Sequence, residues 1–175
     1  ALLTPLVVVP FSSGLMPVFA AEVFEVGPTR FGLLLTFIGV GAVAGTVVLA
    51  TIGEVPHKGI AIVVSLFTGA AGLVILAVSP SYSVAAVGAV VIGAGYAGTQ
   101  TLVSALLQRI VAPEYRGRIA GVWMMTWGTV VGGSAVSGWL ASAYGAPTAA
   151  AVGGVIVVVA ALVVVAIFKS VRTLE

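Results

Sequence analysis

From Gly153 to Phe168 the chain reads GGVIVVVAALVVVAIF, without one polar side chain. Comparable apolar stretches fill most of the remaining sequence, parted only by short breaks. A hydrocarbon core about 30 Å thick is crossed by roughly 20 mostly apolar residues in a helix, and these stretches have that length. Lipid offers no hydrogen bonds to an exposed backbone, so a spanning chain folds as helices or as a closed barrel. A barrel strand alternates apolar and polar residues, and the runs here do not. Composition agrees: 61% of residues are hydrophobic and 7% charged, with a mean hydropathy of +1.27, against roughly 25% charged in an ordinary soluble domain. The expected fold is all-α and integral to a membrane.

Turn chemistry places the breaks: Gly27-Pro28, Pro56-His57-Lys58-Gly59, Ser79-Pro80-Ser81, Ala112-Pro113-Glu114 and Gly145-Ala146-Pro147. These five breaks predict six spans, near 2–21, 31–52, 60–78, 84–107, 119–143 and 148–168. The first span lacks a basic flank and is followed by further spans, so it does not read as a signal peptide. The chain opens on Ala1 rather than Met and is read as a fragment with sequence missing before it.

Basic residues are not spread evenly over the breaks. Lys58, Arg109, Arg116, Arg118, Lys169 and Arg172 fall on the side of the second and fourth connections and the C-terminus, whereas Arg30 alone falls on the other. Short cytoplasmic loops are enriched in Lys and Arg, which predicts that both termini are cytoplasmic.

The sequence has no Asp, Asn or Cys, and His57 is its single histidine. Disulfides and thiolate metal sites are excluded, and no cofactor is expected. A formal charge of +2, scattered along the chain, does not suit nucleic-acid binding. An intramembrane serine protease needs Ser and His both at membrane depth, and His57 lies in a loop. An aquaporin-like channel needs asparagine.

A polar side chain inside the membrane faces the bundle interior or a wet cavity, because lipid gives it no partner. The third and sixth spans hold little beyond aliphatic residues, Gly and Ala, and are expected to face lipid. The fourth and fifth carry Tyr96, Thr99, Gln100, Thr101, Gln108, Trp123, Thr126, Trp127 and Thr129, and the first carries Pro5, Pro10, Ser12, Ser13, Gly14 and Pro17. Spans one, four and five are the expected inner helices.

Two segments, LMPVFAAEVFEVGPTRFGLLLTFIGVGAVAGTVVLA and GAGYAGTQTLVSALLQRIVAPEYRGRIAGVWMMTWGTVVGGSAVSGWLASAYG, resemble the second half of a major facilitator superfamily transporter. The likeness is to the branch containing the enterobactin exporter and related efflux proteins, and PEYRGRIAGVW is its most specific piece. It implies a six-helix C-terminal half that works with an N-terminal six-helix half of the same transporter. Substrate would bind between the halves near the midplane. It also implies proton-coupled efflux of small amphipathic compounds, such as drugs or siderophores, across a bacterial inner membrane. The first, fourth and fifth spans would line the cavity. IGEVPHKG stands where the family carries Gly-x-x-x-Asp-Arg-x-Gly-Arg, and it lacks that Asp and the paired arginines. The alternative to a transporter half at work is a membrane scaffold without transport, or an incomplete half without activity of its own.

Each candidate residue has a functional and a plain reading. Gln100, between Thr99 and Thr101, can contact substrate or make an interhelical hydrogen bond worth on the order of 1 kcal/mol. Trp123 and Trp127, four apart, share a helix face and with Tyr96 and Thr126 can wall a ligand; tryptophans also populate the interfacial belt. Arg116 and Arg118 with Glu114 can form a gating latch, or simply anchor the cytoplasmic side. Pro10 and Pro17 remove backbone donors and can act as hinges or as kinks. Gly41-x-x-x-Gly45, Gly128-x-x-x-Gly132 and Ser134-x-x-x-Gly138 are expected to pack helices closely. Glu22 and Glu25 are expected to be solvated at the outer end of the first span. With no ionisable group at mid-membrane, a proton carrier would have to come from outside this chain.

Overall fold

The computed structural model describes residues 9, 11, 14–53 and 58–167, with the side chains of Ile110, Thr126 and 164–167 excepted. Pro5, Pro10, Ser12, Ser13, Pro56, His57, Lys169 and Arg172, and with them most of the IGEVPHKG connection outside Ile52, Gly53, Lys58 and Gly59, lie outside the described residues. The elements are α1 (Met16–Val18), α2 (Pro28–Ile52), α3 (Lys58–Ala77), α4 (Tyr82–Ile110), α5 (Arg116–Thr126), α6 (Thr129–Tyr144) and α7 (Ala146–Ile167). No strand occurs among the described residues. Among the described residues, five helical stretches are long and apolar enough to cross a membrane, α5 and α6 together counting as one.

Local chemistry sets the ends. Pro28 opens α2, where its missing N–H costs nothing and its fixed φ suits a first turn. Gly53, at φ 71°, closes the same helix, and Gly145, at φ 86°, closes α6; both sit where a side chain would be strained. Within the spans, hydroxyls bond to carbonyls of their own helix: Thr46 to Ala42, Ser65 to Ala61 and Thr68 to Val64, each at 2.9 Å. That pairing lets Ser and Thr sit at membrane depth without an outside partner.

α4 lies between α2 and α3; α3 also packs on α7, and α7 on α6. The seam between α2 and α4 is a backbone contact. A Cβ added at Gly41 would run into the Val90 carbonyl, and one at Gly93 into the Ile38 carbonyl. Leu34, Leu73, Leu76, Ile92 and Val157 are fully buried, and Leu15, Met16 and Phe19 of the first segment join them. Helix contact in lipid depends on such close packing, because lipid tails are as apolar as the side chains they would replace.

Three expectations change. The third and sixth spans are not simply lipid-facing: Leu66, Ala70, Leu73 and Leu76 of α3 and Ala150, Val157 and Ala161 of α7 are buried, while Val64, Val74 and Val78, and Val155, Val159 and Val163, form their exposed flanks. Polarity identifies side chains that need partners, but small residues decide which apolar face can nest, and Gly69, Ala70 and Gly72 are buried on α3. The fifth span, expected inside, is the barest. Among the described side chains of α5 only Trp123 is half-buried, and the rest are exposed. It is also not one regular helix: Trp127 and Gly128 donate to Met124 and Met125, and Val130 to Trp127. These bonds reach three residues back instead of four, which tightens the turn between α5 and α6. Gly132 and Gly138 have nothing within 4 Å of where a Cβ would stand, so neither glycine brings another described helix into backbone contact.

Pro17 is exposed in α1, which widens at once into a π-helical turn over Phe19–Val23. Beyond it, Phe19 stacks on Phe24 at 6.0 Å and Phe24 meets Tyr82 edge-on at 6.2 Å. Tyr82 donates its hydroxyl to the Arg30 carbonyl at 2.8 Å, and the Arg30 guanidinium lies 5.7 Å from the Tyr82 ring centre. This cluster ties the ends of α1, α2 and α4 at the face opposite Lys58 and Arg116. Glu22 and Glu25 are exposed there.

Candidate functional site

Tyr96, Gln100, Ser104 and Gln108 follow one another at intervals of four along α4, which places them in one ridge of the helix surface. At 1.5 Å per residue the ridge runs about 18 Å. Gln100, Thr101, Ser104, Ala105 and Gln108 line an open hollow of about 650 Å³. The Gln100 Oε1 atom is buried and has no hydrogen-bond partner among the described residues. An unpaired buried acceptor costs about 1–3 kcal/mol. Thr99, by contrast, is buried and satisfied, donating to the Gly95 carbonyl at 2.9 Å, so it belongs to packing. Thr101 is exposed and lines the hollow.

The fifth span meets this ridge in antiparallel order. Trp127 lies edge-on to Tyr96, with ring centres 6.2 Å apart. One turn along, Trp123 reaches the other end of the ridge. It lines a cavity of about 260 Å³ with Ser104, Leu107, Gln108, Val111, Arg116, Ile119, Ala120 and Met124. The two tryptophans differ in place: Trp127 meets the Tyr96 ring, and Trp123 lines a cavity.

Arg116 also belongs to this cavity. Its Nε donates to the Val111 carbonyl at 3.2 Å, bridging the end of α4 to the start of α5. Glu114, in the short turn Pro113–Tyr115, and Arg118 are exposed, and neither makes an ion pair among the described residues. The three latch candidates therefore do not come together within this chain. Pro17 lies on another element, and no cavity described here includes it; the Thr126 side chain and Pro10 are outside the described residues.

Ser104 was not singled out by sequence reasoning, and Gln108 was noted only as polar. The four-residue interval from Gln100 was the available signal. A second cavity of about 320 Å³ lies on the other flank of α4, between Thr46, Leu49, Ala50 and Gly53 of α2 and its end, Lys58, and Thr101, Leu102 and Ala105.

Apolar helices long enough to cross a bilayer, with one amide- and hydroxyl-bearing ridge on α4 beside the aromatic rings of the fifth span, define a polytopic membrane protein. The chain belongs to the major facilitator superfamily: the family profile of that description matches residues 6–174, and the protein is accordingly a transporter of that family. No curated protein and no solved structure matches it.

Proposed function

We propose that the chain is the C-terminal six-helix half of a secondary transporter that moves small amphipathic compounds by alternating access, with α4 and the fifth span lining the substrate path. The buried, unpaired Oε1 of Gln100 on a ridge with Ser104 and Gln108 carries the reading. A transport pocket is mostly apolar with a few polar groups that orient the ligand, and this ridge supplies two amides and a hydroxyl among Leu, Ile and Trp. The bare flank of the fifth span, with Val122, Met125 and Val131 more than 60% exposed, suits a helix covered by an N-terminal half.

Direction and coupling rest on resemblance to the efflux branch: export from a bacterial cytoplasm, driven by protons whose carrier lies outside this chain. The basic bias supports cytoplasmic termini. The test is transport by the full-length protein in proteoliposomes with an imposed proton gradient. Gradient-driven movement of an amphipathic substrate, changed in apparent affinity by Gln100→Leu, is the expected result. No gradient-dependent movement of any compound in a panel of amphiphiles would overturn the reading.

A further inference from the structure

Among the described residues, the 260 Å³ cavity between the end of α4 and α5 has one charged wall and no acidic one. Arg116 is the single ionic group of that lining, Ser104 and Gln108 add donors, and Leu107, Ile119 and Met124 supply apolar surface. The Arg116 guanidinium spends its Nε on the Val111 carbonyl, and its terminal nitrogens have no partner among the described residues. Glu114 is exposed and does not line the cavity. A guanidinium presents a planar fork of donors that matches carboxylate and phosphate oxygens.

We propose that this cavity binds an anionic amphiphile, its carboxylate or phosphate head on Arg116 and Gln108 and its apolar tail along Leu107, Ile119 and Met124. The ridge and tryptophans had left the ligand's charge open. A cationic head would meet Arg116 with nothing to offset the repulsion. A neutral head would leave the guanidinium's terminal donors without a charged partner. The inference rests on the site proposed above and names its substrate class. It is tested by equilibrium binding, so that its failure is distinguishable from a failure of transport.

The experiment is native mass spectrometry of the full-length protein in neutral detergent, titrated with dodecyl phosphate, phosphatidylglycerol and uncharged 1-O-dodecylglycerol. Arg116→Gln should weaken dodecyl phosphate binding on the order of tenfold, the scale of one charge-assisted hydrogen bond. Ala120→Trp, which fills the cavity from an exposed position and keeps Arg116, should weaken it as much. Arg109→Gln, an exposed arginine outside the cavity, should leave it unchanged. Tighter dodecyl phosphate than phosphatidylglycerol identifies a free amphiphile; the reverse order identifies a bilayer lipid, and both support the shared chemistry. Equal binding of the uncharged analogue, equal loss in Arg109→Gln, or wild-type affinity in both cavity variants would overturn the proposal.

Discussion

The Tyr96 and Trp127 rings meet nearly at right angles, their centres 6.2 Å apart and their planes at 85°. This pair joins α4 to the fifth span where that span tightens between α5 and α6. Below it the two helices part to form the cavity holding Trp123 and Arg116. The aromatic contact is one point at which the fifth span touches the polar ridge.

Trp127→Ala should remove an edge-to-face interaction worth about 0.5–1.5 kcal/mol and let α5 drift from α4. The measurable result is a changed apparent affinity at near-normal abundance in proteoliposome transport. Trp127→Phe keeps a ring edge and should recover most of the loss. Equal impairment in both variants would assign the effect to something other than the ring pair.

The seam between α2 and α4 makes a prediction about folding alone. Gly93→Ala places a methyl against the Ile38 carbonyl, and backbone cannot rotate away as a side chain can. The cost should be at least the 1–3 kcal/mol typical of overpacking, roughly. Gly39→Ala, with nothing within 4 Å, should be neutral or slightly stabilising. Thermal unfolding of the purified protein followed by fluorescence-detected size exclusion compares them, and equal melting temperatures would remove the seam from the account.

Much of this fold was legible in the residues, for a physical reason. Pro28, Gly53, Ser81 and Gly145 end helices through backbone geometry, which depends on local sequence, so α2, α3 and α4 begin only two or three residues before the expected 31, 60 and 84. Which faces touch was less legible. α3 reads as uniformly apolar, yet its small residues bury one side against α4. The polar fifth span is the least covered, because a polar residue states a need for a partner without saying which chain segment supplies it. In the site, Gln100 announced itself by being an amide at membrane depth. Ser104 and Gln108 needed the ridge, and the role of Arg116 needed the carbonyl of Val111 and the cavity beside it.

Orientation gives a separate test. The connection carrying Glu114 lies at the basic end of the bundle and Ser81 at the end of Arg30. The chain has no cysteine of its own, so Glu114→Cys and Ser81→Cys are clean reporters once other cysteines of the full protein are replaced. An impermeant maleimide added to intact cells should label position 81 and spare 114 until the membrane is opened. The reverse pattern would invert the topology.

Gln100 separates a ligand contact from a packing contact. Its Oε1 is buried, unpaired among the described residues and set in the hollow shared with Ser104 and Gln108. If the amide only packed helices, Gln100→Leu would remove an unsatisfied acceptor and, on the figures for such groups, recover about 1–3 kcal/mol with transport unchanged. If it orients substrate, the same variant should be as abundant as wild type, or melt slightly higher, while its apparent affinity falls on the order of tenfold, the scale of one hydrogen bond to a charged group. Gln100→Glu keeps the shape and adds a negative charge. It should reject an anionic amphiphile more strongly than Gln100→Leu does, since repulsion is added to the lost donor. Transport assays with melting curves on the same preparations read both quantities. A variant pair that melts and transports like wild type would move Gln100 out of the substrate path.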